Sequence, residues 1–533
     1  MVLETPEIVA LGIGLGIVVL ISLISFFIDL KNFEYVTTET LYYVKKWCMV
    51  LFILLLNAAG CALVYYTQNL QVILFIIVVL KAKDIIMAVM FVFNMIYRAI
   101  VKKYHNAPSF VMTDEIERII AFIPVFEESE EQVKSTVDSV LKSKRGNSNY
   151  ILTIVVSDGK NNYDSLLDNV EMIKEFTYRS WLSKDVSVTV SYGTRNSKPV
   201  VFITKQANMG KKDSIILLHE LFNVMRSDVS DTNKQLREEL TQDLFDVFGV
   251  NHFDYIFCTD GDTVVDETTV ACLLDTIKTH GATATCGIVN VDKTHGNVFW
   301  NYLQNFQYMY GQYIRRTNED LLGQVLCLPG CVMMVKIGNY FKHSLDIYSE
   351  LSDEKNLFST STQFMGTDRR FTSSIVYTTP DARILQDTRG HVYTVPPQNL
   401  TAYFKQRTRW THNTFFNSML NIIGPNVNIL SRFFNLIDVL RMCLVYFRLF
   451  NTLYFVYLLI AYYEPSKVLG LVPYIVLSAY PAICFLVYAL FNSHLRKQYL
   501  SLFVFLIVNK LFSMFSTILI FSLMLFNIGN TKW

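Results

Sequence analysis

The chain has 533 residues, of which 52% are hydrophobic and 17% charged, and its net charge is +1. A soluble domain carries roughly a quarter charged residues, so this composition excludes a wholly soluble protein and places part of the chain in lipid. The near-zero net charge gives no basic field for nucleic acid, and nine cysteines without C-x-x-C or zinc spacing read as reduced, mostly buried thiols of a cytosolic domain.

Apolar residues crowd into both ends and leave a polar middle, about 115 to 410, large enough for one α/β domain. Residues 8–29 hold no charge before Asp29 and are long enough to cross a hydrocarbon core of roughly 30 Å. The acidic start at Glu4 and Glu7 argues against a cleaved signal peptide. A second span is predicted over 47–66 and a third over 70–100. Lys81, Lys83 and Asp84 interrupt the third, at roughly 2.5–3.5 kcal/mol each in mid-bilayer, so it starts late near Asp84 or lies partly in the interface. Three more spans are expected at 443–463, 467–491 and 499–526. Lys31, Lys45 and Lys46, then Arg98, Lys102 and Lys103, and finally His494, Arg496 and Lys497 put the intervening loops and the polar middle in the cytoplasm. Between Thr411 and Leu440, FFNSML and ILSRFFNLIDVL are amphipathic and are predicted to lie on the membrane surface.

In the polar middle, IIAFIPVF after Arg118 is a short apolar strand ended by Glu127 and Glu128. Ser129-x-x-Gln132 then has the form of a capping box, with Val133, Val137, Val140 and Leu141 at helical spacing behind it. YILTIVVSDG reads as a second strand, followed by a helix carrying Leu166, Val170 and Ile173 on one face. Such alternation predicts a parallel sheet with ligands at the carboxyl ends of its strands. Asp158 stands at such an end, where a carboxylate can accept the imide proton of a uracil ring; a turn-forming Asp-Gly is the plain alternative.

KQANMGKKDS places Lys205, Lys211 and Lys212 around the start of a helix whose N-terminus can hold phosphate, unless they are a solvated charge cluster. FDYIFCTDGDT runs apolar into Asp260-Gly261-Asp262, hard oxygen ligands suited to Mg²⁺ or Mn²⁺ shared with a diphosphate. In QFMGTDRRFT, Asp368 is either a salt-bridged structural carboxylate or a general base for an acceptor hydroxyl. In KQRTRW, Arg407 and Arg409 can grip a diphosphate and Trp410 offers a flat face to a sugar ring. An inert interfacial anchor has the same composition.

The order D…DGD…TD…QxxRW, in one domain between membrane spans, resembles the processive family 2 glycosyltransferases: the cellulose, hyaluronan and chitin synthases. QNFQY (Gln304 to Tyr308) and CLPGC (Cys327 to Cys331) resemble chitin synthases in particular, in a compact form similar to those of large algal viruses. The resemblance covers the whole chain. It implies transmembrane helices over 1–104, an α/β GT-A-type, Rossmann-like cytosolic domain over 105–411, interfacial helices over 412–442 and channel-forming transmembrane helices over 443–533. Implied with it are a plasma-membrane location, UDP-GlcNAc as donor, a nascent chitin chain as acceptor, Mn²⁺ or Mg²⁺ as cofactor, and inverting transfer coupled to export. The bilayer is a partner, nucleic acid is not, and a homo-oligomer is left open.

By the same resemblance Asp158 and Glu127 bind the uridine, with Pro124 and Lys205 in the same nucleotide-sugar site. Asp260 meets the UDP, Asp262 the metal and Lys211 the diphosphate, while Asp368 is the base. Gln406, Arg409 and Trp410 stand where diphosphate meets acceptor, and Thr367, Gly330 and Cys331 complete the acceptor side. Three positions depart from the usual forms: Thr367 and Gln307 each replace a Glu, and Thr408 replaces an Arg. Hyaluronan synthesis, which adds UDP-GlcUA as a second donor, is the alternative. A transporter or receptor with a nucleotide-binding domain is the rival of another class, and it leaves the ordered motifs unexplained.

Overall fold

The computed structural model describes residues 39–104, 116–143, 150–338, 341–350, 361–461 and 465–528, apart from the single positions 160, 162, 224, 227, 295 and 365. The expected first span, 8–29, lies outside the described residues.

Ten strands form one sheet: β1 (Arg118–Val125), β2 (Tyr150–Asp158), β3 (Asn169–Arg179), β4 (Asp185–Arg195), β5 (Lys198–Lys205), β6 (Tyr255–Cys258), β7 (Thr263–Val265), β8 (Ala284–Val291), β9 (Met333–Lys336) and β10 (Ile384–Thr394). Their order is β3-β4-β5-β2-β1-β6-β9-β8-β10-β7. The centre, β5-β2-β1-β6, is parallel, so the carboxyl ends of these four strands share one edge. β1 and β2 are near-continuous apolar runs because helices cover both faces. Ile120 and Phe122 enter the core on one side of the sheet, and Ile119, Ala121 and Ile123 the core on the other. The capping box forms as the sequence predicts: Gln132 N–H donates to Ser129 Oγ at 3.3 Å, and Ser129 N–H to Gln132 Oε1 at 2.9 Å.

The helix expected after Asp158 is not there. Asn169–Arg179 is β3, an edge strand antiparallel to β4. NVEMIKEFTYR alternates, sending Met172, Phe176 and Tyr178 inward while Ile173 stays 54% exposed. The apolar spacing at 166, 170 and 173 therefore marks no helix face: Leu166 is buried in a short turn ahead of β3, while Val170 and Ile173 are exposed on the strand.

Among the described residues three helices are long and apolar enough to cross a membrane: Tyr42–Thr67, Leu471–Phe491 and Tyr499–Phe526. Ile429–Cys443 and Val445–Ala461, bent by 72° where they meet, would make a fourth as one broken span. The expected span over 70–100 is instead two helices, Leu70–Leu80 and Ala82–Tyr104, parted at Lys81. Its charges find partners: Lys81 bonds Ser478, Lys83 pairs with Asp438, and Asp84 pairs with Arg441 at 2.8 Å and Arg315 at 3.3 Å. Arg315 sits in the π-helical turn Gly311–Arg316, so this knot ties the polar middle of the chain to the helices at its two ends. Removing one member of such a knot leaves a charge without its counterpart. Asp84→Ala is expected to cost about 3 kcal/mol, the low end for a broken buried pair because Arg315 is 45% exposed. Thermal unfolding in detergent checks this, and an unchanged Tm would show that the knot carries no stability.

A single helix runs across position 411. Lys405 to Trp410 lie within one helix, Leu400–Ile423, capped by the Asn399 side chain. Past Trp410 this helix buries Phe415, Phe416, Met419 and Leu420 against Met49 and Ile53 of the Glu39–Thr67 helix and Phe521 of the last helix.

Candidate active site

The parallel edge gathers the predicted carboxylates. Pro124 is buried in β1, two residues beyond its last rung to β6. Lacking an N–H, it lets β1 part from the Asp260–Asp262 turn at that point. Glu127 is exposed just beyond. Its neighbour Glu128 turns toward the Asp pair instead, with Oε2 accepting from Phe126 N–H at 2.6 Å and its Cδ only 3.5 Å from where a Cβ on Gly261 would stand.

Asp158, at the end of β2, is buried and accepts from Met209 N–H at 2.8 Å. Lys205 takes no part in an open phosphate site. It is wholly buried, donating to Asp213 at 2.6 Å and Ser214 at 2.8 Å, with Asp158 3.7 Å away. Asp213 is itself fixed by Tyr178 O–H and Trp181 N–H, each at 2.6 Å, so the Lys205 ammonium is spent inside the fold.

Lys211 opens the helix Lys211–Phe222, behind Gly210 at φ +87°, a conformation that glycine adopts without strain. Its ammonium pairs with Asp260. Burial works against that charge, but Asp260 and Asp368 outweigh it and hold the ammonium well above the ordinary lysine range. Asp262 accepts from Thr263 Oγ at 3.1 Å. Burial first, then Asp260 and Glu128, push its carboxyl up to about 6.

Asp368 begins the helix Asp368–Thr378, and a donor faces each carboxylate oxygen. Gly330 N–H reaches Oδ2 at 3.0 Å and Thr367 O–H reaches Oδ1 at 2.9 Å. Thr367 is thus committed to the carboxylate, where the sequence placed it on the acceptor side. Among the described residues neither Arg369 nor Arg370 pairs with Asp368. Arg370 is buried and directed to the Ile347 carbonyl at 3.4 Å. Cys331 lies within reach of Asp260, Lys211 and Asp368. Burial and those carboxylates push its thiol well up, so it offers no thiolate nucleophile.

From the Leu400–Ile423 helix, Arg409 interacts with Asp368 and Asp260; burial lowers its pKa and the two carboxylates oppose that. Gln406 Oε1 is buried without a hydrogen-bond partner among the described residues. Trp410 is 37% exposed, and its ring lies 6.2 Å from that of Tyr308. Arg407 has a different setting, among aromatic rings. Its guanidinium stacks 4.4 Å from the Trp410 ring and lies near Tyr403 and Tyr308. Gln307 donates to Tyr403 O–H at 3.1 Å and to Asn509 at 2.9 Å, linking this corner to the last helix.

The structure thus brings Lys211, Asp260, Asp262, Gly330, Cys331, Asp368 and Arg409 together and turns Lys205 inward. Sequence reasoning missed two features, the approach of Glu128 and the aromatic setting of Arg407. An amide at 307 beside a tyrosine at 308 was the one visible hint of the second.

Comparison with known proteins gives the same order of elements a family. The chain is 23% identical to Chitin synthase 8 of Gibberella zeae over 423 residues, 74% of this chain and 63% of that one. It is 24% identical to Chitin synthase 4 of Cryptococcus neoformans var. grubii over 355 residues, 58% of this chain and 27% of that one. It therefore spans less than two thirds of the length of these relatives. A mannosyltransferase from Pyrobaculum calidifontis, solved with GDP-Man and Mn²⁺, aligns over 81% of this chain and 98% of its own at 12% identity, with a TM-score of 0.38. The family model described as chitin synthase matches residues 183–533, from the β3–β4 turn through Asp368 and Trp410 to the final residue, and the chain belongs to that family.

Proposed function

We propose that the protein transfers GlcNAc from UDP-GlcNAc to the 4-hydroxyl at the non-reducing end of a growing β-1,4-linked chain, with inversion, and passes the product into the membrane. The observation that carries this reading is Asp368, a carboxylate held by Gly330 and Thr367 beside the Lys211–Asp260 pair and near Arg409, whose helix Leu400–Ile423 continues into the bundle.

Asp158 receives the uracil, and Lys211 and Arg409 face the diphosphate. Each Asp368 oxygen takes one hydrogen bond and keeps a lone pair for the acceptor hydroxyl. As that proton passes to Asp368, the oxygen attacks the anomeric carbon from the side opposite UDP. The C–O bond to UDP breaks with its electron pair on the diphosphate, where Lys211 and Arg409 meet the growing charge. One displacement suffices, with no covalent enzyme intermediate.

Mn²⁺ or Mg²⁺ fits Asp262, a hard oxygen ligand on which no ammonium sits; among the described residues no group of three ligands surrounds it, so a diphosphate would have to supply the rest. Burial first, then Asp260 and Glu128, raise its carboxyl to about 6. Bound there, a divalent ion would neutralise diphosphate charge. The raised pKa means that charged Asp262 costs folding free energy in full above pH about 6, and the cost fades as pH falls toward 3.8. Asp262→Asn is therefore expected to raise the Tm of the metal-free protein at pH 7 and to abolish the Tm rise that Mn²⁺ gives the wild type. A variant that keeps the Mn²⁺ shift removes Asp262 from the metal site.

The site faces the cytosol in this reading, with residues 443–533 forming the channel in a plasma-membrane protein. Purified protein given UDP-GlcNAc and Mn²⁺ should form an insoluble product that chitinase degrades. Sustained UDP release that requires UDP-GlcUA as well would point to hyaluronan instead.

A further inference from the structure

Arg407 is the residue whose surroundings the proposed chemistry leaves unexplained. Its guanidinium carbon lies 4.4 Å from the Trp410 ring centre, 5.1 Å from that of Tyr403 and 5.7 Å from that of Tyr308. Among the described residues no carboxylate pairs with it, and its Nε–H and Nη2–H are buried without an acceptor. Gln307, where chitin synthases usually carry a Glu, is neutral and spends its amide on Tyr403 and Asn509. A buried donor without a partner is costly, so two on one edge of one group mark a place where oxygen arrives from outside.

We infer that Arg407 reads the acetamido group of the sugar at the end of the growing chain, an inference that rests on the polymerase reading above. Nε–H and Nη2–H point from the same edge of the guanidinium and can both donate to one carbonyl oxygen, which has two lone pairs in its plane. The acetamido group carries the one carbonyl on a chitin unit, and every other oxygen is a hydroxyl, ring or linking oxygen. Its methyl is the small apolar group that tyrosine rings accommodate, and the exposed indole of Trp410 can take the pyranose face. Stacking on Trp410 holds the guanidinium plane, so the two donors are aimed before the sugar arrives. The site reads the acceptor, while Lys211 and Arg409 hold the donor.

The test uses the full-length protein in detergent with labelled UDP-GlcNAc, and chitopentaose or its de-N-acetylated counterpart as added acceptor. The wild type should prefer the acetylated acceptor in kcat/KM by about tenfold or more, the worth of a charge-assisted hydrogen bond. Arg407→Met should bring the two acceptors to within about threefold of each other, and Arg407→Lys, which keeps the charge and one donor, should fall between. Affinity for UDP-GlcNAc should move less than twofold in both variants. The inference is overturned if both variants keep the wild-type preference, or if the loss falls on UDP-GlcNAc affinity, which would return Arg407 to the diphosphate. A stronger preference of the wild type for an oligosaccharide ending in glucuronate overturns it too. If the wild type extends no acceptor at all, the polymerase reading fails by itself; equilibrium binding of the two pentasaccharides to wild type and Arg407→Met then judges Arg407 alone.

Discussion

Asp368→Asn is expected to bind UDP-GlcNAc as tightly as the wild type and to lose polymer formation by roughly 10²- to 10⁴-fold, the usual worth of a positioned base. The substitution is gentle on the fold. Gly330 N–H can still donate to the remaining amide oxygen, and the Thr367 hydroxyl, now a donor at 2.9 Å, can rotate and accept from the new NH₂. What disappears is the lone pair that takes the acceptor proton. The neighbours of Asp368 support that role. Lys211 and Arg409 stand close enough to interact with it, yet Lys211 is bonded to Asp260, and Arg370 is engaged elsewhere. Calorimetric binding of UDP-GlcNAc and a UDP-release assay on the same preparation separate the two effects. Polymer formation near the wild-type rate would remove Asp368 as the base, and weakened donor binding would make it part of the donor site.

Much of the site was legible because it depends on local chain rules. The end of an apolar run, a capping box and a turn-forming glycine fixed where Asp158, Ser129 and Asp260–Asp262 would lie, since parallel strands deliver their carboxyl ends to one edge. The departure at 367 was also visible, but its meaning was not. Thr367 gives its hydroxyl to Asp368, an arrangement set by how Gly330 and Asp368 approach from distant parts of the chain. Lys205 misled for the same reason. Its position beside Lys211 suggested a phosphate site, whereas Asp213, eight residues on, turns it into the interior. At 70–100 hydropathy saw charges in a span and could not see that Arg315 from the middle of the chain and Asp438, Arg441 and Ser478 from its far end answer them. Arg407 and Arg409 look alike in sequence. A helix turns about 100° per residue, so two positions apart they face different chemistry, Arg409 the Asp260 and Asp368 carboxylates and Arg407 an aromatic corner.

Gly330→Ala is expected to lower polymer formation by about 100-fold while leaving the Tm nearly unchanged, although it adds one methyl group at a buried position. A Cβ built on Gly330 would stand 2.8 Å from Lys211 Nζ and 3.0 and 3.2 Å from the two Asp368 oxygens. Real Cβ atoms essentially never come within 3.0 Å of a neighbour and seldom within 3.4 Å, so the Lys211 end must move and the Asp368 end must give by a few tenths of an ångström. Both are the far ends of rotatable chains, which is why the fold survives. The same movement is what catalysis cannot tolerate. Displacing Lys211 loosens its grip on Asp260, and displacing Asp368 breaks its alignment with the Gly330 N–H and the incoming hydroxyl; about 1 Å at a reacting group costs on the order of 100-fold. The effect should fall on kcat with acceptor present, and UDP affinity should drop only by what Lys211 contributes at the diphosphate, because Asp158 lies outside the displaced set. Gly330→Ser should be at least as damaging, since its hydroxyl would sit among the groups that the acceptor must reach. An alanine variant that elongates normally would mean that Lys211 and Asp368 shift together without consequence, and that Gly330 is a packing residue rather than the gap through which base and acceptor meet.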